Sequence, residues 1–226
     1  MSSNIITYLN ILEENNNREW YHANKSGLHV ATEEFEELIQ SLLLELGKAD
    51  YRLLNYSPKE LTFKLVRDTR YSHDKSPYNP SFRCHISSGG KLPIPVGYYL
   101  AIRPGNRSFL GGGLFADMFK EATQKIREHI NLHSDELKDI LTLPGFSDGI
   151  EINGTILKNV PKDFDPVHPM VKYLKHKSWY VEVPFEDSLL EDTKGFLKFA
   201  VEKYLLMKPF NDFLNCALAD FKIPVR

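Results

Sequence analysis

The stretch RDTRYSHDKSPYNP, Arg67 to Pro80, crowds chemistry-bearing side chains into one short segment of a 226-residue chain. Arg67, Arg70 and Lys75 are cations, Asp68 and Asp74 are carboxylates, and Tyr71 and Tyr78 add hydroxyls that can donate to an anion. An arginine fork offers two parallel N–H bonds to the two oxygens of a carboxylate or phosphate. The segment therefore reads two ways. Arg67, Arg70, Lys75 and Tyr78 hold an anion, with Asp68 as a proton-transfer group, or the arginines and aspartates neutralise one another and pin the loop.

A second group lies in VPKDFDPVHPMVKYLKHKSW. Lys162 and Lys177 are cations that could reach the same anion. Asp165 and His168 are of the types that move protons or bind metals. Two ligands are too few for a metal site, so none is expected. The competing reading makes Asp165 the cap of a short helix beginning near Pro166, with His168 on its surface. A third group is LGGGLFAD, where Gly111, Gly112 and Gly113 follow a strand and precede a helix expected from about Asp117. Glycines there let backbone N–H groups face an anion, and Gly112 is a candidate pocket wall. Gly111, Gly113 and Ala116 fit G-x-G-x-x-A, but a meander is the wrong context for a dinucleotide fingerprint. The plainer reading is a tight approach of backbone that only glycine allows.

Other residues favour packing over chemistry. His129 and His133 are spaced i, i+4, but without the glutamate of H-E-x-x-H they read as a solvated pair. Cys84 alternates with Arg83 and His85 and so points inward with Phe82 and Ile86. Cys84 and Cys216 form no C-x-x-C pair and are expected to be free, buried thiols. Trp20 is expected in the core. No motif names a cofactor.

The elements that position these groups follow from periodicity. Ile5, Tyr8, Leu9 and Leu12 mark a helix that Asn15–Asn17 ends, and Asn17 is placed to cap the next one. Phe35, Leu38, Ile39, Leu42, Leu43 and Leu46 mark a long helix closed by Gly47. Ser57 to Glu60 is a capping box. Period-two runs follow at Leu61–Val66, Phe82–Ile86, Val96–Ile102 and Ser108–Gly113, and later at Trp179–Phe185. Met118, Phe119, Ala122, Ile126 and Ile130 mark a helix, Ser134 caps another, and Phe196, Phe199, Ala200, Tyr204 and Leu205 mark a third that Pro209 kinks or ends. The fold class is α+β: an antiparallel meander of about five strands with helices packed on it. A single domain is expected over 1–226, with N-terminal helices at 4–47, the sheet at 61–112, helices at 117–143, an irregular loop at 144–169, the late strand at 178–185 and C-terminal helices at 188–221.

Composition bounds the function. Apolar residues are 42% and charged residues 26% of the chain, which is enough for a sizeable core. Net charge is −2, which gives no global attraction to nucleic acid, leaving only a local basic patch for that role. The N-terminal residues show no signal-peptide pattern, and no apolar run suits a membrane span. A cytoplasmic protein without a membrane partner is expected, its oligomeric state unspecified.

Taken together, NNNREWYHANK, VRDTRYSHDKSPYNP, SFLGGGLF and LKNVPKDFDPVHPMVKYLKHKSWYVEV resemble a widespread, mainly bacterial family, domain of unknown function 2461. The resemblance spans almost the whole chain. It implies one domain and marks these segments as family motifs, without implying an activity. Tyr21 and Tyr71 stand where the family often has phenylalanine, and His73 and Asn79 where lysine is frequent. Three readings stay open: an anion-binding cleft for a small phosphate or carboxylate ligand, catalytic or not; a non-catalytic binding module whose motifs are structural ion pairs; and nucleic-acid binding through a local patch.

Overall fold

The computed structural model describes residues 3–115, 117 and 119–224. Ala116 and Met118, assigned above to the glycine motif and to a helical face, lie outside the described residues. The helices are α1 (Asn4–Glu14), α2 (Arg18–Ala23), α3 (Lys25–Leu46), α4 (Pro58–Leu61), α5 (Lys120–Leu132), α6 (Ser134–Thr142), α7 (Val171–Leu174) and α8 (Thr193–Ala217). The strands are β1 (Phe82–Ile86), β2 (Gly97–Ile102), β3 (Ser108–Leu114) and β4 (Trp179–Phe185). They form one antiparallel meander in the order β1-β2-β3-β4, so the fold is α+β.

The chain divides into two compact units. The first comprises Met1–Ile86, Tyr99–Leu110 and Pro184–Val201, and the second Ser87–Tyr98, Gly111–Val183 and Glu202–Arg226. In the first, α1 buries Ile5, Tyr8, Leu9 and Leu12 along one stripe, and α3 buries Ala31, Phe35, Leu38, Ile39, Leu42, Leu43 and Leu46. Each buried leucine, isoleucine or phenylalanine among them contributes roughly 1.5–3 kcal/mol by leaving water. Asn17 accepts from the Trp20 N–H and starts α2. Glu60 accepts from both the Ser57 N–H and its hydroxyl at the start of α4. Phe82 of β1 packs on Phe35 of α3, and Phe185 of β4 packs on Phe196 of α8. In the second unit Tyr98 meets Tyr204 of α8. The strands' inward phase is thus apolar, including Cys84, Leu100 and Val181, which are fully buried.

Four elements differ from expectation. The run Leu61–Val66 is not a fifth strand: it holds isolated bridges, Thr62 to Cys84 and Val66 to Tyr78. Pro77 has no N–H to return the bond its carbonyl accepts from Arg67, and the two bridges are out of register with each other, so no continuous ladder forms. The helix α8 runs through Pro209 to Ala217, because Tyr204, Met207, Phe210, Phe213 and Leu214 keep one buried stripe across it. Leu205 falls off that stripe and is exposed. No helix starts at Pro166; Asp165 turns the chain instead, accepting from the Val167 N–H, and α7 begins only at Val171. The helix expected from about Asp117 starts at Lys120. Both cysteines are free, but Cys216 is exposed rather than buried. Trp20 is half-buried against Tyr8 and lines a groove of about 260 Å³ with Ile11, Gly27 and Val30.

Candidate functional site

The Arg67–Pro80 loop leaves the sheet at the bridge between Val66 and Tyr78. Arg67 N–H donates to Pro77 O at 2.9 Å and Asn79 N–H to Leu65 O at 2.7 Å, which closes the loop's base. Tyr78 is 4% exposed and stacks on Tyr21 with ring centroids 3.8 Å apart. The Asn16 amide donates to Tyr78 O at 2.9 Å and accepts from Tyr78 N–H at 3.1 Å. An asparagine side chain therefore pairs with this backbone as a neighbouring strand would. Two of the sequence motifs meet at that clasp.

Above the base the charges cancel locally. Arg67 pairs with Asp74, and Arg70 grips Asp68 with Nε at 2.9 Å and Nη2 at 2.6 Å. Lys75 Nζ donates to Thr69 O at 3.0 Å. The Ser76 hydroxyl, then Arg67, hold the Asp74 carboxyl well below the usual carboxylate range, and Arg70 lowers that of Asp68. Both acids are ionised acceptors already occupied. At the tip Tyr71 is 94% exposed, with the Arg70 guanidinium 6.0 Å from its ring centre. The pairs themselves are solvent-exposed, so they shape the loop more than they stabilise the fold.

Gly112, Lys162, Asp165, His168 and Lys177 belong to the second unit. A Cβ on Gly112 would lie 3.1 Å from Asn211 Oδ1 and 3.3 Å from Met207 Sδ, both on α8. The glycine there admits a helix, and Asn211 in turn donates to Gly97 O at 3.1 Å. Gly113 has φ +92°, and a Cβ would overlap the Trp179 carbonyl. The glycine run thus serves close backbone packing. Lys177 pairs with Asp117 at 3.2 Å. Lys162 and Asp165 are exposed, and His168 Nδ1 accepts from Met170 N–H at 3.1 Å. Asp165 and His168 are both spent on turning the Pro161–Met170 backbone.

Two arrangements had no counterpart among the sequence-derived candidates. Arg127 of α5 is buried and donates to Leu174 O at 2.9 Å and His176 O at 2.8 Å, closing the C-terminal end of α7. In the first unit, Phe63, Arg83, Tyr99, Arg103 and Phe109 form one side-chain cluster. Burial raises the Tyr99 phenol, and Arg83 and Arg103 oppose that rise. The signal was present in the outward phase of the strands, where Arg83, Tyr99 and Phe109 alternate with buried neighbours.

Among the described residues, no three of His, Cys, Asp and Glu are grouped to hold a metal ion, and no helix is long and apolar enough to cross a membrane. The architecture defines a class: a four-stranded antiparallel meander with helices on its apolar phase and a clasped, charged loop beside β1. The chain belongs to the family described as "Conserved hypothetical protein (DUF2461)", whose profile matches residues 4–213. No curated protein and no solved structure matches it.

Proposed function

We propose that this protein is a non-catalytic binding module that presents the Arg67–Asn79 loop to a partner. The observation carrying this reading is that the loop is fixed at its base and open at its tip. Asn16 and Tyr21 hold Tyr78, while Arg70 and Tyr71 stand in solvent. Tyrosine and arginine are among the side chains that most often dominate protein contacts. The acid–base candidates Asp68, Asp165 and His168 are engaged in local turns and pairs, which favours binding over proton transfer. The test compares wild type with an Arg70→Ala/Tyr71→Ala variant as affinity baits. The variant keeps its melting temperature and loses the partners that wild type retains. Recovery of the same partners by both would sink the reading.

A second reading keeps an anion site on this loop, with Arg67, Arg70 and Lys75 as its cations. Its support is that the Arg70 fork already holds a carboxylate in the open, a partner that an external phosphate or carboxylate could replace. A thermal-shift panel of phosphates and carboxylates tests it, since ligands that favour the native state raise the midpoint. Shifts that persist unchanged in Arg67→Ala and Arg70→Ala exclude it.

A further inference from the structure

In the first unit, the outward phase of β2 and β3 together with the Leu61–Val66 run carries a row of three rings. Phe63 and Tyr99 have centroids 6.3 Å apart, and Tyr99 and Phe109 5.9 Å apart. Arg83 lies 5.8 Å from the Phe63 ring centre and Arg103 lies 5.6 Å from that of Phe109. A guanidinium thus closes each end of the row. The Tyr99 side chain lies within electrostatic reach of both Arg83 and Arg103. All five side chains are half-buried.

Four of the five other arginines of this unit show what is missing, the fifth, Arg18, being exposed to solvent. Arg52 pairs with Asp50, Arg67 with Asp74, Arg70 with Asp68 and Arg107 with Glu13. Among the described residues, neither Arg83 nor Arg103 pairs with a carboxylate, and the Nε of each is buried without a hydrogen-bond partner. Arg83 donates from Nη2 to Lys64 O at 3.1 Å, whereas no hydrogen bond from the Arg103 guanidinium is formed to the described protein. Ring faces offset part of the cost of a half-buried cation, but they leave its N–H groups unused.

We propose that this face binds a nucleotide unit, its phosphate held by Arg83, Arg103 and the Tyr99 hydroxyl and its base laid against the ring row. Two guanidiniums around one hydroxyl suit the charge and several oxygens of a phosphate better than a lone carboxylate. A row of flat rings on a sheet suits a flat, polarisable ligand, as in sheets that stack bases of single strands. A net charge of −2 supplies no long-range attraction, so the affinity resides in this local cluster. The phosphate and base can belong to a free nucleotide or to one residue of a single strand. No residue of this site belongs to the Arg67–Asn79 loop, and the proposal does not depend on the loop's role.

The experiment titrates the full chain with a nucleoside 5′-monophosphate, the nucleoside alone, inorganic phosphate and a short single-stranded oligonucleotide, read by calorimetry. The monophosphate binds at least about tenfold more tightly than either fragment, because both subsites are filled. Arg103→Met weakens it about tenfold or more, as expected for losing one charged hydrogen bond. That variant keeps the stem on Phe109 and breaks no side-chain hydrogen bond, so its melting temperature stays that of wild type. Tyr99→Leu weakens binding similarly, and Arg52→Met leaves it unchanged. An oligonucleotide that binds more tightly still, with affinity falling steeply in salt, identifies a single strand as the source. Equal affinity for oligonucleotide and monophosphate identifies the free nucleotide. Absence of binding, inorganic phosphate binding as tightly as the monophosphate, or wild-type affinity in Arg103→Met would each overturn the proposal.

Discussion

The side-chain amide of Asn16 satisfies both backbone groups of Tyr78, donating at 2.9 Å and accepting at 3.1 Å. The two residues are 62 positions apart, so this contact ties the α1–α2 turn to the base of the charged loop. Asn16→Ala leaves the N–H and C=O of a buried residue without partners and is expected to destabilise the fold by about 2 kcal/mol. For a chain of this size that is a fall of roughly 4–8 °C in melting temperature. Arg70→Ala, which removes only an exposed pair, leaves the midpoint essentially where it is. Thermal or urea unfolding of the two variants side by side checks the contrast.

Gly112 and Gly113 differ in why they are glycine. A methyl group on Gly112 meets the ends of two side chains, Asn211 and Met207, which can yield. Gly112→Ala is expected to cost about 1–3 kcal/mol, the usual range for overpacking. A methyl group on Gly113 meets backbone, the Trp179 carbonyl, at a φ of +92° that disfavours any side chain. Gly113→Ala is therefore the more damaging of the two, and soluble yield together with urea midpoints ranks them.

Arg127 spans two carbonyls from one fork. Burial lowers its pKa, and no carboxylate among the described residues compensates the charge. Arg127→Met removes two charge-assisted bonds and is expected to cost about 2–3 kcal/mol. Arg127→Lys rescues only part of this, because an ammonium cannot reproduce the planar fork. Amide hydrogen exchange near Leu174 and His176 reports the loss locally.

Burial lowers the pKa of both His129 and His176. His133 adds to the effect at His129, while Glu136 opposes it. The unfolded chain then takes up these protons first, near pH 6.5. Stability is full above that pH and falls as pH drops toward the folded-state values. The melting temperature is expected to be lower at pH 5.5 than at pH 7.5. His129→Leu shallows this slope, and a pH series of melting curves for both chains measures it.

Much of the scaffold was legible in the sequence because it depends on local periodicity. The stripes Ile5–Leu12 and Phe35–Leu46 became the buried faces of α1 and α3, Asn17 became a cap, and the inward phase of β1 carried Cys84 into the core. Burial pushes that thiol up to about 12, as suits an inert core residue. The run Leu61–Val66 failed as a strand although its own alternation was good. Whether a run becomes a strand depends on a partner able to complete the ladder, and here Pro77 has no N–H to return and the two bridges are out of register.

The residues of the charged loop were fixed by composition and order alone, and so was the choice of partners available to them. Which partners they took was decided in three dimensions, where the turn at Arg70 and Tyr71 set Arg67 against Asp74 and the Asp68 side chain turned back on the Arg70 N–H and guanidinium. The same holds for Arg83, Tyr99, Arg103 and Phe109, which look unremarkable along the chain. A strand's period of two settles only that such residues share a phase. Strand order and register bring the Tyr99 and Phe109 rings to 5.9 Å and leave two guanidiniums on that face without a carboxylate among the described residues.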